Sequence, residues 1–255
     1  MAPYIYMERN GIHIIDLNKT AIKIDEAAEA LKAIAKSGRK ILFVSTKKQG
    51  QEVVAQKAQE IGMPYITERW AGGMLTNFPT IRKAVKKMTT IDKMMTDGTF
   101  DNISKREKLQ ITRQREKLEK NLGSIADLTR LPSALFVVDV MKEHIAVAEA
   151  NRLGIPVFGI VDTNSDPNPI DYVIPANDDA TKSIEVILNA VCDAIKEGLE
   201  ERKVEKADEE AAAAQAAENA PQTKERRQRV RKAAPKAEAE KAVATETPAE
   251  ESKAE

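Results

Sequence analysis

Continuous apolar runs that alternate with amphipathic segments are the feature of this chain that most constrains its fold. The runs ILFVST, SALFVVDV and IPVFGIVD begin at Ile41, Ser133 and Ile155, and segments with one hydrophobic helical face lie around them. A strand that is apolar at every position is buried on both faces, which is typical of parallel sheets covered by helices. The pattern predicts a doubly wound α/β domain with a mainly parallel sheet.

Weaker patterns predict the other elements of this domain. Further strands are predicted at HIIDL, PYITERW and DYVIPA, and the first long helix is AIKIDEAAEALKAIAK, with Asn18 and Thr20 as candidate caps. Three more helices are predicted at QGQEVVAQKAQEIG, KEHIAVAEANRLG and DATKSIEVILNAVCDAIKEGL.

Residues 79–122 interrupt this alternation. Apolar residues there recur every three or four positions and form a narrow seam: Ile81, Val85, Met88, Ile91 and Met95. The stretch DGTFDN breaks the pattern, and Ser104 with Glu107 has the capping-box spacing that begins a second helix. A thinner seam follows at Ile111, Leu118, Leu122 and Ile125. The pattern predicts an antiparallel helical hairpin that projects from the sheet domain and has a wide basic surface.

The composition changes near residue 200. Residues 201–255 contain no Leu, Ile, Met, Phe, Tyr or Trp, so they cannot bury enough apolar surface to offset chain entropy. Their first part, EERKVEKADEEAAAAQAA, is predicted to extend the preceding helix, and the rest to be disordered. The basic stretch KERRQRVRK is either part of a solvated tail or an accessory RNA- or protein-binding arm. We therefore predict a sheet domain at 1–78 and 123–200, a helical hairpin at 79–122 and a tail at 201–255.

Charge is segregated along a chain whose formal net charge is zero. Residues 69–130 carry 14 basic and 7 acidic groups, whereas residues 131–200 carry 4 basic and 12 acidic groups. The basic segment is expected to attract a polyanion. One Cys and two His exclude a disulfide framework and leave too few ligands for a structural zinc site. The absence of a signal-peptide pattern or a long apolar span predicts a soluble intracellular protein.

Motifs for small-molecule chemistry are weak. No Gly-x-Gly-x-x-Gly follows the first strand, and no Walker-type Gly-x-x-x-x-Gly-Lys-Ser/Thr occurs, so neither cofactor nor metal is predicted. His13 and His144 are interpreted as packed or surface imidazoles, and Cys192 as a core residue. The loop VDTNSDPNPID, with three Asp residues, is equally consistent with turn chemistry and with a contact surface.

The stretch ERWAGGMLTNFPTIRKAVKK fits a nucleic-acid surface better. Phosphates are bound by Lys and Arg, by polar side chains and by exposed backbone amides. Trp70 either stacks on a base or belongs to the core. The predicted RNA-binding residues are Lys47, Lys48, Arg69, Gly72, Gly73, Thr76, Asn77, Arg82, Lys83, Lys86 and Lys87.

Three segments also carry a family resemblance. They are ERNGIHIIDLNKT, RWAGGMLTNFPTIRKAV and LPSALFVVDVMKEHIAVAEANRLGIPVFGIVDTNSDPNPIDYVIPANDDA. They closely resemble the S2 family of bacterial small-subunit ribosomal proteins, over roughly residues 1 to 200. The family's spacing is kept by Pro132, Asp139, Glu143, Val147, Glu149 and the Gly154-Ile155-Pro156 triplet.

The resemblance implies a Rossmann-like, flavodoxin-like sheet with an inserted coiled-coil hairpin, no catalysis and assembly onto small-subunit ribosomal RNA. It also implies neighbouring ribosomal proteins as partners, including the RNA-binding S1 family protein. Family members carry an additional N-terminal segment with a Gly-x-His-x-Gly-His-like motif, so contacts made through that segment are expected to differ here. Two alternatives are a nucleotide-binding enzyme on the same sheet and a helical-hairpin adaptor that binds only proteins.

Overall fold

The computed structural model describes residues 1–98 and 104–218, with side chains through residue 208. The strands in this part of the chain are β1 (Ile5–Arg9), β2 (Ile12–Ile15), β3 (Ile41–Val44), β4 (Tyr65–Ile66), β5 (Ala134–Val138), β6 (Val157–Val161) and β7 (Tyr172–Pro175). The α-helices are α1 (Leu17–Lys36), α2 (Lys48–Glu60), α3 (Phe78–Thr96), α4 (Lys105–Leu122), α5 (His144–Leu153) and α6 (Thr181–Glu218). Short 3-10 helices lie at Ala2–Tyr4 and Gly123–Ile125.

Five strands form one parallel sheet in the order β4-β3-β5-β6-β7. If its strands are numbered by their position along the chain, the order is 2-1-3-4-5, which is that of flavodoxin-like doubly wound sheets. Helices connect β3 to β4, β4 to β5 and β5 to β6, whereas residues 162–171 connect β6 to β7 without a helix. The predicted α/β class with a parallel sheet is therefore confirmed.

The core lies on both faces of this sheet. Every residue of β3, β5 and β6 is buried, which explains why these strands are continuous apolar runs. Phe43 and Phe136 belong to a hydrophobic cluster shared with α1, α2 and α6, and their rings lie 5.3 Å apart. Leu42 and Leu135 face the other way, into a cluster that includes α5 and Trp70. Adjacent residues of one strand thus serve opposite cores.

The N-terminal elements differ from their prediction. The strand predicted at HIIDL is β2, which lies outside the parallel sheet and pairs antiparallel with β1. Asn10 and Gly11 join them with φ angles of 53° and 76°, and an Asn-Gly pair favours this type of hairpin turn. The caps predicted for α1 were also wrong, because α1 begins one turn earlier and the Asp16 side chain accepts the amide N–H of Asn18.

Two helices occupy the predicted insertion. Val85, Met88 and Ile91 of α3 are buried, as their spacing predicts. The Ser104 hydroxyl accepts the amide N–H of Glu107 at the start of α4, which confirms the predicted cap. An ion pair between Arg115 and Asp92 joins α4 to α3. Between the helices, residues 99–103 include most of the predicted DGTFDN break and lie outside the described residues.

The chain divides into two compact units, Met1–Ala207 and Asp208–Glu255. The first unit contains both sheets. The second is described only for residues 208–218, which belong to α6, so the predicted helical extension beyond residue 200 is confirmed. The predicted disorder and the KERRQRVRK stretch concern residues outside the described range. Among the helices that the structure describes, none is long and apolar enough to cross a membrane.

Candidate nucleic-acid interface

The loop between β4 and α3 contains the glycine pair of the predicted RNA-binding stretch. Gly73 has a φ of +84°, a conformation that side-chain-bearing residues rarely adopt, and a Cβ there would lie 3.2 Å from the Cβ of Asn77. Gly72 is exposed, and no atom lies within 4 Å of the Cβ position. Trp70 is buried in the core, so its core interpretation is confirmed. The backbone conformation of the loop requires glycine at position 73, whereas a side chain at position 72 would point into open space.

A buried carboxylate from α5 holds this loop. Glu149 is 8% exposed, and both of its oxygens face the loop. Oε1 accepts the indole N–H of Trp70 at 3.1 Å and the amide N–H of Gly73 at 2.7 Å. Oε2 accepts the amide N–H groups of Leu75 and Thr76 at 2.9 and 3.1 Å, and the Thr76 hydroxyl at 3.2 Å. Five donors from seven consecutive residues therefore converge on one side chain.

These hydrogen bonds set the ionisation of Glu149. Burial by itself raises the pKa of this carboxyl, but the backbone amides of Gly73, Leu75 and Thr76 and the Trp70 indole outweigh it, so the pKa is lowered. The amides of Gly73 and Thr76, which the sequence interpretation offered to a phosphate, already donate to an internal anion. These two amides are therefore not available to bind a small phosphate ligand.

Exposed cations flank this loop in the sequence, and one further exposed cation follows β3. Arg69 precedes Trp70, and Lys48 is the first residue of α2. Lys83, Lys86 and Lys87 lie on α3, on the side away from its buried apolar residues. All five side chains are exposed. We call this set the basic surface: Lys48, Arg69, Lys83, Lys86 and Lys87.

Two other predicted residues have intramolecular contacts. The guanidinium of half-buried Arg82 donates to the carbonyl oxygens of Thr129 at 2.8 Å and Leu128 at 3.4 Å, so it ties the start of α3 to the segment before β5. Asn77 is the N-cap residue of α3, and its side-chain oxygen accepts the Thr80 hydroxyl at 2.8 Å. Both residues shape the base of α3.

Lys47 directly precedes Lys48, but its ammonium is held by carboxylates at the carboxyl edge of the sheet. Its ammonium is 2.7 Å from Asp178 Oδ1, 2.6 Å from Asp179 Oδ1 and 3.5 Å from Asp139 Oδ2. Burial by itself lowers the pKa of Lys47, but hydrogen bonds to Asp178 and Asp179 reverse the effect, and the net pKa is raised. The ammonium of Lys47 is therefore held in place, in its charged form, by three surrounding carboxylates.

This edge is where a flavodoxin-like sheet holds a ligand. Asp162, Asp178 and Asp179 each place a carboxylate oxygen within 4.8 Å of the others, and such a group could hold a metal ion. Nearby, Glu143 accepts the amide N–H of Thr46 at 3.0 Å. A nucleotide phosphate here would meet several carboxylates and one lysine that is already paired. The charge of this edge opposes the nucleotide-binding alternative.

The remaining candidates have structural contacts. Cys192 is buried, and burial raises the pKa of its thiol to about 11. His13 and His144 are exposed. Asp166 accepts the amide N–H of Asn168 at 3.1 Å and Asp171 that of Val157 at 2.8 Å. The Asp166 contact is local turn chemistry, whereas Asp171 holds the start of β6. The contact-surface interpretation of the VDTNSDPNPID loop stays a prediction.

Comparison with known families agrees with the resemblance. The family model described as "Ribosomal protein S2" matches residues 1–198. The chain belongs to this family.

Curated relatives cover most of the chain. The small ribosomal subunit protein uS2 of Parabacteroides distasonis is 79% identical over 208 residues, which are 82% of this chain and 75% of the relative. The protein of the same name from Bacteroides thetaiotaomicron is 78% identical over the same shares. That of Porphyromonas gingivalis is 76% identical over 206 residues, 81% of this chain and 73% of the relative. S2 family proteins are structural and are not enzymes.

In the sequence, Glu149 stands out only as part of the family spacing. A signal is nevertheless present, because Glu149 follows Ala146 and Val147 and precedes Ala150, all of which are buried on α5. A carboxylate on the apolar face of a helix needs several donors to be stable there. Sequence alone does not reveal that those donors come from a loop more than seventy residues earlier.

Proposed function

We propose that this chain is a structural constituent of the small ribosomal subunit, which binds ribosomal RNA and neighbouring ribosomal proteins in the cytoplasm. The observation that carries the proposal is the match of the ribosomal protein S2 family to residues 1–198. Relatives that are 76 to 79% identical bear the name small ribosomal subunit protein uS2. The acidic carboxyl edge of the sheet is consistent with a role that requires no nucleotide.

The basic surface is the proposed contact with the RNA backbone. Lys48, Arg69, Lys83, Lys86 and Lys87 are exposed and lie in or near the most basic part of the chain. Such contacts neutralise phosphates and release counterions, so they give affinity with little sequence preference. Exposed Gly72, Thr76 and Asn77 lie between these cations in the chain, where an RNA backbone can approach closely.

The other predicted binding residues have supporting roles in this proposal. Gly73 permits the turn that Glu149 holds, Arg82 ties α3 to the segment before β5, and Lys47 stabilises the carboxyl edge. Their substitution is expected to change the shape or stability of the surface. Direct phosphate contacts are assigned to the exposed cations.

The finer architecture is also part of the proposal. We propose that α3 and α4, at 79–122, form an antiparallel coiled-coil hairpin inserted into a sheet domain of residues 1–78 and 123–200. The Arg115–Asp92 ion pair supports it. Residues 201–255 form an Ala/Glu/Lys-rich tail that begins within α6, and the S1 family protein is among the partners. Support for these last two points comes from composition and from the family resemblance, respectively.

Sedimentation of the tagged chain from lysate tests the function. We expect it to travel with small ribosomal subunits at low salt and to leave them after nuclease treatment or at high salt. Association that survives complete RNA digestion would instead favour a protein-only adaptor. A chain that stays at the top of the gradient would contradict the proposal, and saturable nucleotide binding by the purified protein would then be tested.

Charge reversal tests the basic surface. The double variant Lys83→Glu/Lys86→Glu is expected to weaken binding to small-subunit ribosomal RNA. Its salt dependence should flatten by ~1 in log–log slope for each phosphate that the variant no longer neutralises. The matched control is Lys182→Glu/Lys203→Glu, which reverses two exposed charges on α6. Equal affinity and slope for the two double variants would remove α3 from the interface.

A further inference from the structure

Among the buried carboxylates that the structure describes, Glu149 accepts the most hydrogen bonds, and all of them come from one loop. Trp70, Gly73, Leu75 and Thr76 supply the five donors. Three of these donors are backbone amides, which remain when a side chain of the loop is replaced by any residue other than proline. The loop therefore folds around the carboxylate of Glu149.

This arrangement resembles the way loops bind phosphate. Successive backbone N–H groups that converge on one point form a concave nest, and a nest binds an anion without any cationic side chain. Here the anion belongs to the protein, and the lowered pKa keeps it ionised. Its position is fixed by α5, whose buried residues pack against the sheet.

Both ends of the loop lead into the basic surface. Arg69 directly precedes Trp70, and α3, which carries Lys83, Lys86 and Lys87, begins at Phe78, two residues after Thr76. A carboxylate that holds residues 70–76 thereby sets the spacing between Arg69 and the lysines of α3. Without the Glu149 carboxylate, the buried N–H donors of the loop would have no acceptor and would repel one another.

We propose that Glu149 is a positioning residue for RNA binding: it acts as a built-in substitute for a phosphate, and it orders the Trp70–Thr76 loop so that the cations on either side meet the RNA backbone together. This inference rests on the proposed function. Glu149 itself does not touch RNA in this arrangement.

The test compares two isosteric substitutions in the full chain. Glu149→Gln keeps the size of the side chain but replaces one acceptor oxygen with an NH₂ donor that faces other donors. The matched control is Glu143→Gln, which alters another buried carboxylate, six residues earlier, that bonds to Thr46 and not to this loop. Both variants lose a buried charge, so a general loss of stability affects both.

Hydrogen exchange measures directly how well the amides of the Trp70–Thr76 loop are protected. In Glu149→Gln we expect the amides of Gly73, Leu75 and Thr76 to exchange about tenfold faster or more, while sheet amides keep their protection. In Glu143→Gln the loop amides should retain wild-type rates. Unchanged rates for the loop amides in Glu149→Gln would overturn the proposal.

RNA affinity and its salt dependence measure whether the order of the loop matters for binding. Glu149→Gln is expected to bind small-subunit ribosomal RNA about tenfold more weakly than Glu143→Gln, with a shallower salt slope, because fewer cations reach phosphates at once. Faster loop exchange with wild-type affinity and slope would also overturn the proposal. A wild-type chain that fails to bind the RNA would instead overturn the proposed function, and the exchange rates would still decide whether Glu149 orders the loop.

A second substitution keeps the proposal testable if Glu149→Gln does not fold. Glu149→Asp keeps the charge and shortens the side chain by one methylene, so it should give intermediate exchange rates and intermediate affinity. Wild-type values for both measurements in Glu149→Asp would contradict a requirement for the carboxylate at this position.

Discussion

The ammonium of Lys47 lies 2.7 Å from Asp178 Oδ1, which connects the residues that follow β3 and β7 at the carboxyl edge of the sheet. The Asp178 side chain is 2% exposed and that of Lys47 is 15% exposed. Burial raises the pKa of Asp178, and the hydrogen bond from Lys47 opposes that rise only in part. Lys47 is therefore the group that makes an ionised Asp178 tolerable inside the protein.

Removal of Lys47 should reduce stability. Lys47→Met leaves Asp178 buried without its cation, and we expect a loss of about 3 kcal/mol in the free energy of unfolding. Lys48→Met is the matched control, because Lys48 is exposed, and its effect on stability should stay within about 0.5 kcal/mol. Denaturant unfolding measures both. RNA affinity should show the opposite order, and equal stability of the two variants would refute the role given to Lys47.

Acid should weaken the hold of Glu149 on its loop. Its pKa is lowered in the folded state, so the stabilisation is present above the ordinary value of 4.5 and is lost as pH falls from there through the folded-state pKa. Glu149→Gln cannot titrate and should show a smaller loss of stability between pH 6 and about pH 3. Unfolding curves for both proteins across that range make the comparison. Parallel pH profiles would contradict the assignment.

Gly198 lets α6 approach α1 closely. A Cβ at this position would lie 2.5 Å from the carbonyl oxygen of Lys32 and 3.3 Å from the Cβ of Ala35. Gly198→Ala gains up to about 1 kcal/mol of helix propensity but forces backbone apart, at a cost of about 1–3 kcal/mol, so we expect net destabilisation. Thermal unfolding measures it, and Gly72→Ala, where a Cβ meets open space, serves as the neutral reference. A higher melting temperature for Gly198→Ala would contradict this packing.

Cys192 should react only when the protein opens. Its thiol is buried and its pKa is raised to about 11, so little thiolate forms at neutral pH and no reagent reaches it. Labelling of the native chain with a thiol reagent at pH 8 is expected to be orders of magnitude slower than in denaturant. Fast labelling under native conditions would show that this part of α6 is accessible.

The parallel sheet could be predicted from sequence because burial on two faces leaves a visible pattern. Each residue of β3, β5 and β6 must be apolar or small, whichever face it serves. The Asn10-Gly11 turn and β1 were not predicted, because β1 and β2 mix exposed apolar and polar residues and their pairing had no burial pattern to support it. β4 is only two residues long, and its predicted continuation over residues 67–70 leads into the loop that Glu149 holds.

The candidate site was predicted only in outline. The position of the lysines on the exposed face of α3 could be predicted from the sequence, because its apolar residues recur with the helical period and mark the buried face. Sequence alone could not separate Lys47 from Lys48, since adjacent residues of the same type differ only in the partners that distant segments bring to them. Asp178 lies more than a hundred residues after Lys47, and Glu149 likewise reaches a loop far from it along the chain.

The pairing of β3 with β5 also sets an order of events during synthesis. Ile41 pairs with Ala134, so everything from α2 to the end of α4 is made before the central strand pair can close. Until then β3 has only the two residues of β4 beside it, and both of its cores lack the residues that β5 and later elements supply. Ribosomes add about 5–20 residues per second, so this apolar strand waits for several seconds at least. During that interval, the nascent chain depends on early compaction or on chaperones to avoid aggregation.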